Sequence, residues 1–177
     1  MSSFEFRRAV PEDAEALSHL IKNAMVTYCA ESGIPEGHLE SMTEEIDTIR
    51  DRIIHNYCIC CFDGNEPVGT ITLSMVFNPI KFSFSDKTMK YLDSVEIAGY
   101  ISRFAVRRDL RSAGLGVDLM NAALSLASKK GCSHCLLHTA VTNNGMVTFY
   151  KNRGFEVIDS ESSRGYMRGL LGMALGK

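Results

Sequence analysis

Apolar residues along the chain recur at two spacings, every second residue or about every 3.6, and the switches between them mark the elements. Residues 4–10 read as a short strand. Pro11 suits a first helical position, and Leu17, Leu20, Ile21, Ala24 and Tyr28 continue at helical spacing to residue 30. Gly33-Ile34-Pro35-Glu36-Gly37 breaks that helix. Ser41 and Glu44 stand at capping-box spacing, and Ile46, Ile49, Ile53 and Ile54 predict a second helix to about residue 56. Residues 57–62 are a short apolar run, 63–66 a turn, and 67–77 a strand in which Ile71, Leu73, Met75 and Phe77 alternate with Thr70, Thr72 and Ser74. Together they predict a hairpin. Residues 78–94 are polar and irregular, with one helical turn near 87–91. Residues 95–106 read as a strand. A helix over 114–130 carries Leu119, Met120, Ala123, Leu124 and Ala127 and stops at Gly131. A strand over 133–139, a helix over 143–152 ended by Gly154, and strands over 155–159 and 165–173 complete the chain. This order predicts an α/β (α+β) fold, a mixed sheet of six to seven strands with about four helices on its two faces. No Pro-, Gly- or Ser-rich linker and no internal repeat divides residues 1–177, so one domain is expected.

Composition narrows the class. The chain has 177 residues, 45% hydrophobic and 23% charged, which is ordinary for a globular protein and excludes disordered and collagen-like readings. A net charge of −2 argues against a dedicated nucleic-acid binder. No run approaches the roughly 18 apolar residues of a membrane span, and Met1-Ser2-Ser3-Phe4-Glu5-Phe6 lacks the apolar core of a secretory leader. A cytoplasmic location is therefore expected. Cys29, Cys58, Cys60, Cys61, Cys132 and Cys135 should then be thiols. Cys132-Ser133-His134-Cys135 has the spacing of one metal knuckle, but a structural zinc site needs two ligand pairs, so no metal is expected.

The chemistry is concentrated in residues 103–117. A strand ends near Val106, a loop carries Arg107, Arg108 and Arg111, and Gly114 and Gly116 open a helix. Exposed amides at such a turn and the positive end of the helix form an anion cradle, and glycines let a phosphate approach the backbone. The pattern reads as a diphosphate site. It is not a Walker loop, which needs Gly-Lys-Ser/Thr, nor a dinucleotide fingerprint, whose third glycine is Leu119 here.

Arg111-Ser112-Ala113-Gly114-Leu115-Gly116 and the set Asn143, Tyr150, Gly154, Phe155 resemble the two signatures of the GNAT superfamily of acyl-CoA-dependent N-acyltransferases. Met146 stands where that family often has alanine. The order of elements is also similar over nearly the whole chain. The resemblance implies a mostly antiparallel sheet whose fourth and fifth strands run parallel and splay apart. It implies acetyl-CoA as cosubstrate, held by Phe104, Ala105, Val106, the residues from Arg111 through Ser112, Ala113, Gly114, Leu115 and Gly116 to Val117, and Asn143. It also implies a backbone oxyanion contact in the 104–106 stretch, and Tyr150 as the general acid for the departing thiolate. A tyrosine on a short helix can equally be an ordinary core residue. The implied acceptor is a primary amine of a small molecule or peptide, and a homodimer is left open.

A base is less legible. A lysine-like amine is neutral in only about 0.04% of molecules at pH 7, and removing its proton costs about 4.6 kcal/mol. The positions where some relatives carry a strand glutamate are Tyr100 and Ser102 here; Glu96 lies too far along the strand. A water relay through Tyr100, Ser102 or His138 is the expectation, His138 having a suitable intrinsic pKa near 6.5. Two acceptor hints oppose one another: the acidic residues between 31 and 51 suit a cation, whereas Arg164 and Arg168 suit a carboxylate. Two other readings stay open, a non-catalytic acyl-CoA-sensing module and a protein-modifying acetyltransferase.

Overall fold

The computed structural model describes residues 4–176; Lys177, and Met1–Ser3 at the start of the segment read for a leader, lie outside them. The strands are β1 (Phe4–Arg8), β2 (Tyr57–Asp63), β3 (Glu66–Met75), β4 (Ala98–Val106), β5 (His134–Ala140), β6 (Glu156–Glu161) and β7 (Arg168–Ala174). Four helices have eight residues or more: α1 (Ala14–Ser32), α3 (Ile46–His55), α5 (Leu115–Lys129) and α6 (Asn144–Lys151). Two shorter ones are α2 (Glu40–Thr43), where a capping box was expected, and α4 (Asp86–Leu92), in the segment read as irregular with one helical turn.

One seven-stranded sheet has the order β1-β2-β3-β4-β5-β7-β6. Its neighbours are antiparallel except β4 and β5, which are parallel, as the crossover through α5 requires. β4 and β5 pair only from Ala98–His134 to Ile101–Leu137. Beyond that point β4 continues to Val106 and β5 to Ala140 without pairing with each other, so the sheet opens in its middle. Opposite β3, the register of β4 slips between Thr70 and Thr72, and in the slipped stretch Arg103 takes φ 49°.

Both faces of the sheet are covered. On one, Leu17 and Leu20 of α1 and Ile49 and Ile53 of α3 bury Cys58, Cys60 and Phe62. On the other, Leu115, Leu119, Met120, Ala123 and Ala127 of α5 bury Cys61, Val68, Ile71 and Leu73. Cys60 and Cys61 point to opposite faces yet are both fully buried, because neither face of β2 meets solvent. Cys58 and Cys60 also satisfy the buried hydroxyls of Thr72 and Thr70, at 3.2 and 3.3 Å. All six cysteines are buried and free, and no group of three metal-ligating side chains gathers among the described residues.

Local signals explain most boundaries. Gly33 ends α1 at φ 69°, its amide bonding to Cys29 O. The capping box expected at Ser41 and Glu44 does not form. Ser41 is inside α2, Glu45 precedes α3 with no side-chain cap, and Glu44 turns inward to two arginines. Buried charge pairing outcompetes an exposed cap here.

Candidate active site

The opening between β4 and β5 leads into a cavity of about 710 Å³. It is lined along β4 from Tyr100 to Val106, roughly 20 Å of extended strand. Leu137, His138 and Thr139 of β5 face it, with residues from α1, α6 and the segments that connect the other elements. Of the residues singled out in the sequence, Phe104, Ala105, Val106, Arg111, Gly116, Asn143 and Tyr150 line it, as do Tyr100, Ser102 and His138. Ser112, Ala113, Gly114, Leu115 and Val117 are not among its lining residues. Leu115 is a core residue beneath α5, and Ser112 and Ala113 lie exposed on the turn before it.

Gly114 begins α5 at φ 83°, a left-handed conformation, and no side chain caps the helix. The first i→i−4 bond runs from Asp118 N to Gly114 O at 3.1 Å, so the amides of residues 115–117 precede the helical ladder. A Cβ on Gly116 would stand 3.4 Å from Phe104 Cζ. The wall is therefore narrow where the turn meets β4.

Tyr150 is buried, with its ring edge-on to Phe149 and Phe155. Among the described residues its hydroxyl has no protein hydrogen-bond partner. Burial raises its pKa well above that of an ordinary phenol, with Tyr28 and Tyr100 adding to the effect, so it keeps its proton through the neutral range. Asn143 caps α6, its Oδ1 accepting from Met146 N at 3.1 Å and its Nδ2 donating to Ser32 Oγ at 3.0 Å. Its first task is thus to fix α6, and with it Tyr150, to the end of α1. Tyr28 was legible only as a helix-face residue. Its hydroxyl accepts from Ala140 N at 2.7 Å, supplying the partner that β4 withholds from β5.

Tyr100 and His138 share a hydrogen bond of 2.8 Å between the phenol and Nδ1. Phe82 and Phe84, from the loop after β3, pack against Tyr100 with centroids 5.3 and 5.8 Å away. This aromatic wall follows from a segment whose sequence is merely irregular. Burial lifts the Tyr100 pKa to about 12 and, with Arg168 nearby, lowers that of His138 to about 3. The intrinsic pKa near 6.5 is therefore not retained, and His138 is neutral at physiological pH. A stability effect follows. Above pH 6.5 the imidazole is neutral in both states and contributes nothing. As pH falls toward 3 the unfolded chain binds a proton that the folded chain does not, so stability is lost. The loss should be about 2 kcal/mol at pH 5. Urea titrations of His138→Gln are expected to show a shallower fall in stability between pH 6.5 and 4 than the unsubstituted protein.

Several charges around the cavity are matched in pairs, although Lys81, which also lines it, is in no ion pair among the described residues. Glu31 lies 3.9 Å from Arg111, Glu40 pairs with Arg164, and Glu161 pairs with Arg168. The two opposed hints in the sequence thus partly cancel, since Glu40 and Arg164 neutralise one another. Glu44, in contrast, receives both Arg52, at 2.9 Å through Nη1, and Arg103, at 3.2 and 3.1 Å through Nε and Nη2. Burial and the neighbouring Arg103 lower the Arg52 pKa to about 10.

The family model described as "Acetyltransferase (GNAT) family" matches residues 22–155, most of the chain. The chain belongs to the GNAT acetyltransferase family. Its acyltransferase fold extends to solved structures: a PaiA N-acetyltransferase from Thermoplasma acidophilum in complex with coenzyme A superposes with a TM-score of 0.75, at 20% identity over 98% of this chain and 99% of that one. The NatC complex bound to Gag peptide and CoA contains a chain with a TM-score of 0.70, at 16% identity over 98% and 99%. In sequence, this GNAT acetyltransferase is 29% identical to human N-alpha-acetyltransferase 30 over 120 residues, 66% of this chain but 29% of that protein. It thus matches less than a third of the relative's length.

Proposed function

We propose that this GNAT acetyltransferase moves an acetyl group from acetyl-CoA to a primary α-amine by direct attack, with no covalent enzyme intermediate. Acetyl-CoA supplies the activated thioester. The observation that carries the reading is the opening between β4 and β5, through which one cavity joins the uncapped turn of α5 to Tyr150. The amides of residues 115–117 and the Arg111 guanidinium take the diphosphate. The unpaired edge of β4 over residues 104–106 offers backbone groups to an extended arm, and an amide there polarises the thioester carbonyl. Tyr150 holds its proton on Oη and gives it to the leaving sulfur.

The three relay candidates bear on the acceptor. Tyr100, Ser102 and neutral His138 can pass a proton along hydrogen bonds with water, but none stores one near pH 7. Through this relay alone the amine has to arrive largely deprotonated. An α-amine of pKa about 7.7–8.0 does so at a cost of about 1 kcal/mol at pH 7, against about 4.6 for a lysine side chain. The names of the N-alpha-acetyltransferase relatives agree with this choice. Thermal unfolding with acetyl-CoA, and NAD as control, tests the cosubstrate: saturation at 100 times Kd should raise Tm by about 5–11 °C. Thiol release should then be faster with peptides bearing a free α-amine than with N-blocked peptides bearing only lysine. Stabilisation without turnover on any amine would instead identify an acyl-CoA-sensing module.

A further inference from the structure

We infer that the acceptor carries a carboxylate within a few bonds of its amine, and that Arg103 binds it; the inference rests on the acetyl-transfer reading above. Every carboxylate named around the cavity has an arginine partner, and Arg103 is the arginine in excess, sharing Glu44 with Arg52. The Glu44 side chain is 5% exposed and those of Arg52 and Arg103 are 15% and 20% exposed, so the surplus positive charge sits where water screens it poorly. Arg103 also lines the cavity. Its Nε and Nη2 are committed to Glu44, which leaves Nη1 for a further acceptor.

The backbone makes a second, independent observation. Among the described residues, Ser83 and Arg103 are the non-glycine residues with positive φ, and Arg103 holds this conformation inside a strand. Strained conformations persist where the surrounding structure fixes them, and they concentrate at functional sites. Here the strain occurs at the register slip, one residue before Phe104 and so about 3.8 Å along the Cα trace from the proposed oxyanion stretch. A carboxylate on Arg103 would lie in the cavity that residues 104–106 also line. Phe82 and Tyr100, which line the cavity, suit an apolar side chain on the same acceptor.

Two sources supply this chemistry: the α-carboxylate of a free amino acid, or an acidic side chain near a peptide's amino terminus. The probes are therefore L-phenylalanine against phenethylamine, and Phe-Asp-amide against Phe-Asn-amide, with kcat/KM expressed per unprotonated amine. In at least one pair the carboxylate-bearing acceptor should be preferred about tenfold or more, and the pair that responds identifies the source. Arg103→Gln should collapse that ratio toward one while the acetyl-CoA-induced rise in Tm persists. If that variant does not fold, Arg103→Lys keeps a cation beside Glu44 but loses the planar fork, and the ratio should fall at least threefold. Ratios near one in both pairs for the unsubstituted protein, or a preference that survives the substitution, would overturn the inference. Turnover of both members of each pair at equal rates would do so while leaving the acetyl-transfer reading intact. Absence of any acetyl-CoA stabilisation would instead sink that underlying reading.

Discussion

Tyr150→Phe is expected to lower kcat by about 10²–10⁴-fold, the usual worth of a positioned general acid, while the stabilisation by acetyl-CoA stays nearly unchanged. The substitution removes one hydroxyl that bonds to no protein group among the described residues and leaves the ring against Phe149 and Phe155. Folding stability should therefore stay within about 0.5 kcal/mol of the starting value. Stopped-flow thiol release would separate the outcomes. A small effect on turnover would return Tyr150 to the status of a core aromatic, and proton delivery would have to be assigned elsewhere.

Gly116→Glu should have the opposite signature, with binding lost and the fold retained or strengthened. Glycine is a poor helix former, and an acidic residue in the first turn favours the helix dipole, so α5 itself gains from the change by about 1 kcal/mol. The added Cβ meets Phe104 Cζ at 3.4 Å, an ordinary contact. The new carboxylate, however, stands on the turn that would take the diphosphate. The rise of about 5–11 °C with acetyl-CoA should disappear while Tm without ligand holds or increases. A retained shift would place the diphosphate somewhere other than the α5 turn.

Much of this layout was legible because it rests on short-range rules. Helical spacing in α1 and α5, glycine stops at Gly33 and Gly131, and alternation in β3 each act within a few residues. The glycine turn before α5 was legible for the same reason. Features that depend on distant partners were not. Glu44 looks like half of a capping box until Arg52 and Arg103 are brought to it by the fold. The intrinsic pKa of His138 says nothing of the burial that lowers it to about 3. Phe82 and Phe84 become an aromatic wall only when the loop after β3 folds over Tyr100. Arg103 begins the stretch singled out in the sequence, but its backbone conformation depends on how β4 slips against β3.

The free thiols give the molecule its own reporters of opening. Burial raises every one of their pKa values, those of Cys60 and Cys135 to about 12, so thiolate is scarce and alkylation must wait for the structure to part. Their distribution is informative. Cys58 and Cys60 lie beneath α1 and α3, whereas Cys61, Cys132 and Cys135 lie on the α5 side. Labelling rates read peptide by peptide would therefore time the detachment of each helical layer separately. They would also reveal whether ligand in the gap between β4 and β5 slows one layer or both.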